Sequence, residues 1–206
     1  FFGNRLVYVG KTDGDAGLRS RLTRHSTKIL ERQNLDPQQV AFKAVRIFVF
    51  TAMDLEGDLI RHYGGVKNLA WNGSGFGSND PGKERDTTKV KSDNFDYLFP
   101  IDIDRARDFE IAEGESASEV LSRLKNSIPY TLRYQNDGGR SRRAHRDLES
   151  VSLAGSSRAL SVRQSLEHIA DHLPKGWQIV ALPGYIIMYK NDKRAYPSGV
   201  VIAQSS

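Results

Sequence analysis

Apolar and polar positions follow several different rhythms along this chain. Residues 5–10 (RLVYVG) form a short apolar run closed by glycine, which reads as a strand ending in a turn; the polar Gly/Asp segment from Lys11 to Gly17 continues that turn. From Leu18 to Arg32 the spacing becomes helical, with Leu18, Leu22 and Ile29 on one stripe. Residues 35–39 read as a loop. Val45 to Phe50 is an apolar run of β-branched and aromatic residues interrupted only by Arg46, as in a buried strand. Asp54 is placed to cap a helix carrying Leu55, Leu59 and Tyr63, stopped by Gly64-Gly65. A glycine-rich loop, Trp71 to Gly82, leads through a polar stretch to Tyr97-Leu98-Phe99-Pro100.

The composition then shifts. Residues 102–119 hold seven acidic side chains against Arg105 and Arg107, which places a domain boundary there and divides the chain into 1–101 and 102–206. In the second part, Ser116 with Glu119 spells a capping box for a helix bearing Val120, Leu121 and Leu124, ended before Pro129. Ser161 with Gln164 repeats the device for Val162, Leu166, Ile169 and Leu173, stopped at Pro174. Each helix leads into a β-like segment, Tyr130 to Tyr134 and Trp177 to Leu182, and Pro183-Gly184 turns the second into Tyr185 to Tyr189 as a hairpin. Between the two units, Gln135 to Arg158 is rich in Gly, Ser and Arg and reads as a mobile loop. The pattern predicts an α/β (α+β) molecule: a small twisted sheet flanked by helices, then a small α+β module.

Composition narrows the function classes. With 30 Lys and Arg against 25 Asp and Glu, the 206-residue chain carries a formal charge of +5, which suits a polyanionic partner without proving one. The absence of cysteine excludes disulfides and thiolate zinc sites and points to an intracellular, cytoplasmic setting. No apolar run is long enough to span a bilayer, and the opening residues Phe1-Phe2-Gly3-Asn4 do not resemble a secretory leader.

Four features carry candidate chemistry. Tyr8-Val9-Gly10-Lys11 ends the first strand. Arg21 and His25 lie four residues apart on one helix face, and Lys28 and Arg32 extend them into a basic stripe; taken alone, such a stripe is a solvated helix flank. Glu56 falls in the first turn of the next helix, where an acid ordinarily complements the helix dipole. Asn72 follows Trp71 at the head of the glycine-rich loop. Three other signals read as structural or solvated. Gly73-Ser74-Gly75-Phe76-Gly77 lacks the spacing of a dinucleotide fingerprint and reads as a flexible loop. His168 and His172 have zinc-ligand spacing, but Ile169 stands where a zinc protease needs glutamate. Arg140, Arg142, Arg143 and Arg146 form either a DNA-contacting arm or a solvated loop.

Taken in order, these features resemble the GIY-YIG nuclease superfamily, and most of all its type II restriction endonucleases, over residues 5–100. The resemblance aligns Tyr8 with the tyrosine of the second motif strand, Arg21 and His25 with the helix pair of the restriction branch, Glu56 with the single metal-binding acid, and Asn72 with the asparagine that closes the site. It also takes in Lys11, Leu59-Ile60 with Tyr63, Gly75-Phe76-Gly77 and Lys91-Ser92-Asp93. The family's first strand, with its Gly-Ile-Tyr-like tripeptide, has no counterpart here, so the resemblance implies that it lies upstream of Phe1. What the family implies is Mg2+-dependent, site-specific cleavage of double-stranded DNA. Glu56 would hold Mg2+ (or Mn2+ in its place), Arg21 would contact the scissile phosphate, and tyrosine with Lys11 or His25 would orient or deprotonate the water. Lys28, Arg32 and the Arg140–Arg146 cluster would contact DNA, and a palindromic site implies a homodimer. The alternatives are a repair, mobile-element or phage-defence nuclease on the same domain, or a DNA-binding module with a degenerate nuclease site.

Overall fold

The structure, a computed structural model, describes residues 1–12, 17–46, 52–77, 82–138, 141 and 143–206, with the backbone alone for residues 52–54. The molecule is mixed α+β, with helices and one open four-stranded mixed sheet. The chain forms two compact units. The first comprises Phe1–Pro81 and Lys91–Pro100, the second Gly82–Val90 and Ile101–Ser206.

The first unit is built on helices α1 (Leu18–Ile29), α2 (Ala52–His62) and α3 (Phe95–Leu98). Its core is aromatic: Val7, Ile29, Leu35, Trp71, Phe76 and Phe95 are buried, with Phe2, Tyr8, Val40 and Phe99 packed on them. The Trp71 ring lies 4.7 Å from Phe76 and 5.1 Å from Phe95, the tilted and edge-on geometries that aromatic quadrupoles favour. Two expectations are corrected here. Residues 5–10 are not a ladder strand, because loop groups take their backbone bonds: Val7 O accepts from Trp71 N at 2.8 Å, and the Asn72 amide takes both Val9 N and Val9 O at 2.8 Å. Among the described residues this unit has isolated bridges, such as Phe2 with Val40, and no sheet. The expected strand at Val45–Phe50 falls largely on residues 47–50, outside the described residues. Helix α2 begins at Ala52, so Asp54 lies inside it and not at its cap.

Helix α1 overturns a third expectation. Of its predicted apolar stripe only Ile29 is buried, whereas Leu18 is 45% exposed and, with the half-buried Leu22 and the exposed Leu30 and Phe42, lines an open groove of about 750 Å³. The basic stripe faces inward. Arg32 is buried, its Nη1 donating to Asp96 Oδ1 at 2.9 Å and to Phe99 O at 3.1 Å, while Lys28 Nζ reaches the same Asp96 oxygen at 2.5 Å. Asp96, itself 2% exposed, explains the reversal: two cations packed over the Phe95 ring need a buried counter-charge, and α3 supplies it.

The second unit follows its sequence signals closely. Helix α4 (Ala117–Ser127) opens with the complete Ser116/Glu119 capping box and α6 (Val162–His172) with the Ser161/Gln164 box, each satisfying otherwise orphaned N–H groups. Strands β1 (Thr131–Tyr134), β2 (Gln178–Leu182), β3 (Tyr185–Tyr189) and β4 (Val200–Gln204) pair in the order β1-β3-β2-β4, with β1 and β3 parallel and the other pairs antiparallel. Pro183-Gly184 makes the β2–β3 hairpin, Leu182 facing Tyr185 across it. Both faces of the sheet are covered. Leu132, Ile179, Ile186 and Met188 enter the main core with α4, α6 and Trp177, and Val180, Leu182, Tyr185, Ile187 and Tyr189 pack with Tyr196 on the other side. Period-two alternation therefore disappears from β3, whose five residues are all buried. The expected mobile loop at 135–158 is partly helical: α5 (Arg146–Ser150) is capped by His145, whose Nδ1 accepts from Asp147 N at 3.2 Å. Among the described residues, no helix is long and apolar enough to cross a membrane.

Candidate active site

Tyr8, Arg21, His25 and Phe76 meet at one point in the first unit. Arg21 Nη2 donates to Tyr8 Oη at 2.6 Å, and its Cζ lies 5.9 Å from the Tyr8 ring centroid. The His25 ring stands edge-on to Tyr8 at 5.3 Å and stacks on Phe76 at 4.8 Å with planes 13° apart. Helical geometry explains the grouping, since Arg21 and His25 are one turn apart on α1 and both reach the Tyr8 segment. Asn72 fixes that segment by clasping the Val9 peptide, and Trp71 anchors it at Val7.

Two glycines leave the space. A Cβ at Gly10 would lie 2.6 Å from Arg21 Nη2 and 2.8 Å from Tyr8 Oη; one at Gly77 would lie 2.5 Å from Tyr8 Oη. The tyrosine hydroxyl thus sits in a notch that only glycine permits on two sides. The Gly75-Phe76-Gly77 loop, expected to be flexible, is instead packed, with Trp71, Ser74 and Phe76 buried and Ser74 O accepting from Phe95 N at 2.8 Å. The structural weight of Phe76 and Gly77 was missed from sequence. The available signal was an aromatic residue between two glycines, a pattern with little to offer a solvated loop.

The electrostatics are specific. Burial first, then the positive charges of Arg21 and Arg24, push the His25 pKa down from its ordinary value to about 4, so the imidazole is neutral near pH 7. Its Nδ1 and Nε2 are both shielded and without hydrogen-bond partners. A neutral imidazole always has one acceptor nitrogen and one donor, and leaving both unmade carries a desolvation cost of about 1–3 kcal/mol each. A phenol hydroxyl, a guanidinium with four of its five donors left after Tyr8, and an acceptor imidazole stand side by side. Such a group can bind an oxyanion and move a proton.

The other sequence-derived residues lie differently. Glu56 is half-buried on α2; among the described residues no hydrogen bond or ion pair joins it to the Tyr8–Arg21–His25 group, and no cluster of three or more acidic, histidine or cysteine side chains forms a metal cage. Lys11 is half-buried beside the notch segment. Lys28 and Arg32 commit their charge to Asp96. Arg143 and Arg146 are exposed, Arg143 lying 3.8 Å from Glu149, and Arg140 and Arg142 fall outside the described residues. His168 and His172 both bind the backbone of Ala154, His168 Nε2 bonding its O at 2.8 Å and His172 Nε2 accepting from its N at 3.4 Å. No protein-family model, curated protein or solved structure matches this chain.

Proposed function

We propose that this protein is a Mg2+-dependent endonuclease of the GIY-YIG kind that cuts double-stranded DNA at a specific site, as type II restriction enzymes do. The observation that carries this reading is the Tyr8–Arg21–His25 notch: a hydroxyl held by a guanidinium and packed closely against Gly10 and Gly77, beside a neutral imidazole with two unmet nitrogens. Phosphodiester hydrolysis uses those groups. Arg21 offers its remaining donors to the oxygens of the scissile phosphate, where a guanidinium is worth most as charge builds in the transition state. Tyr8 orients the attacking water, and the neutral His25 imidazole beside it, or Lys11, is the group placed to receive its proton. Glu56, a carboxylate without an ion-pair partner among the described residues, would hold Mg2+ or Mn2+ with water and phosphate oxygens completing the shell; the ion would supply charge neutralisation at the phosphate. A homodimer reading a palindrome follows from two-fold symmetry.

The test is incubation of the full protein with plasmid DNA and Mg2+, followed by sequencing of the ends. Discrete double-strand breaks at one sequence support the reading. A second reading, a DNA-binding module with a degenerate nuclease site, is distinguished by the same mixtures: retarded DNA that stays intact in Mg2+ and in Mn2+.

A further inference from the structure

Phe76 has four ring neighbours among the described residues of the first unit, and they are not arranged alike. Tyr8 stands edge-on to it at 5.2 Å, and Trp71 and Phe95 tilt against it at 4.7 and 4.8 Å, as rings do in an aromatic core. His25 alone of the four lies face to face with it, 4.8 Å away with planes 13° apart. The loop that carries Phe76 leaves the ring little freedom. Gly75 has a φ of +90°, where a side chain is strained, and a Cβ there would lie 2.8 Å from Asn94 Nδ2. On the other side, a Cβ at Gly77 would meet the Tyr8 hydroxyl at 2.5 Å. Ser74 O accepts from Phe95 N at 2.8 Å, which ties the loop to α3, and Phe76 itself is buried.

An imidazole is ordinarily oriented through the hydrogen bonds of its nitrogens, and His25 makes none. Contact with the Phe76 face and the Tyr8 ring is what fixes its plane. We propose that Phe76 is a positioning residue for His25: its ring holds the imidazole in one plane within the notch and keeps water off one face of it. Burial is the leading cause of the lowered His25 pKa, ahead of Arg21 and Arg24, and the Phe76 ring supplies part of that cover. Among the described residues, the charged or titrating groups facing the imidazole are Arg21 and Arg24 on its own helix and Tyr8 from the 5–10 segment; Gly75-Phe76-Gly77 brings none. A ring face also attracts a cation, which acts the other way. That attraction is the smaller effect here, because an imidazolium would hold two shielded N–H donors with no acceptor. The consequence for turnover rests on the cleavage reading above: an uncharged imidazole beside Tyr8 can take a proton at a pH where an exposed histidine is already charged.

Carbon–proton NMR of the His25 ring in the intact protein tests this without a cleavage assay. In the wild type the His25 ring protons should resonate upfield, shielded by the Phe76 face, and titrate with a midpoint of about 4. Phe76→Leu keeps an apolar side chain without a ring face and should raise that midpoint by about one unit or more. Phe76→Tyr restores the face and should return it toward the wild-type value. Phe99→Leu removes a ring of the same cluster whose ring contacts are Phe2, Trp71 and Phe95; it should lower the melting temperature and leave the midpoint in place. A midpoint that stays or falls in Phe76→Leu, or His25 shifts in the wild type that show no ring face above them, would overturn the proposal and leave Phe76 as core filling. In a cleavage assay, kcat of Phe76→Leu should fall further between about pH 8 and about pH 5 than kcat of the wild type, with KM little changed. A shifted titration with an equal loss at both pH values, or with no cutting at all, supports the positioning role and counts instead against His25 as the proton acceptor or against the nuclease reading.

Discussion

His25 sets the acid sensitivity of the first unit. Its folded pKa lies near 4 while the unfolded chain titrates near the ordinary value of 6.5, so between those values the unfolded state binds a proton that the folded state refuses. Stability contributed by neutral His25 is therefore complete above pH 6.5 and drains away as pH falls toward 4. Melting temperature measured across that window should fall more steeply for the wild type than for His25→Phe, which keeps the stack on Phe76 without a titrating group; equal slopes would mean that the ring protonates freely in the fold. Gly77 gives a second expectation at this scale. A methyl group there meets the Tyr8 hydroxyl, so Gly77→Ala should displace the Tyr8–Arg21 bond and lower cleavage by about tenfold or more, with a stability loss of only about 1–2 kcal/mol. Unchanged turnover would show that the notch is not where the chemistry occurs.

Helices and strands separate what sequence reveals from what it hides. The two capping boxes and the Pro183-Gly184 hairpin are written within a few residues of where they act, and each appears in the structure where the pattern puts it. Ser161→Ala should accordingly lower stability by about 1 kcal/mol in a denaturant titration, since the N-cap acceptor is lost and little else changes. The inward turn of the basic face on α1 was not legible, because its cause is Asp96, 64 positions beyond Arg32. Hydrophobic periodicity ranks leucines as inward and cations as outward, and nothing local corrects that ranking. Strand β4 and the parallel β1–β3 pairing were missed for the same reason: both depend on partners distant in sequence. Removing the counter-charge exposes the dependence. Asp96→Asn leaves two cations packed over Phe95 without compensation and should cost about 3–5 kcal/mol, read as a lower urea midpoint, whereas an effect under about 1 kcal/mol would mark the ion pairs as incidental.

At the level of the whole molecule, the candidate site and the sheet lie in different units. The second carries the sheet and the larger apolar core; the first carries the Tyr8, Arg21, His25 and Asn72 group on turns held by aromatic packing and side-chain bonds. Of the residues grouped from sequence, the structure brings Tyr8, Arg21 and His25 into contact with Asn72 bracing their segment, and among the described residues no hydrogen bond or ion pair joins Glu56 to them. Cleavage of DNA by wild type, Arg21→Ala and Glu56→Gln, with duplex binding and melting temperature measured alongside, tests the central claim most directly. The account predicts site-specific double-strand cutting by the wild type in Mg2+, a loss of about a thousandfold or more in both variants, and binding and melting left nearly intact. Near wild-type cutting by Arg21→Ala, or intact DNA in every reaction despite tight binding, would contradict it.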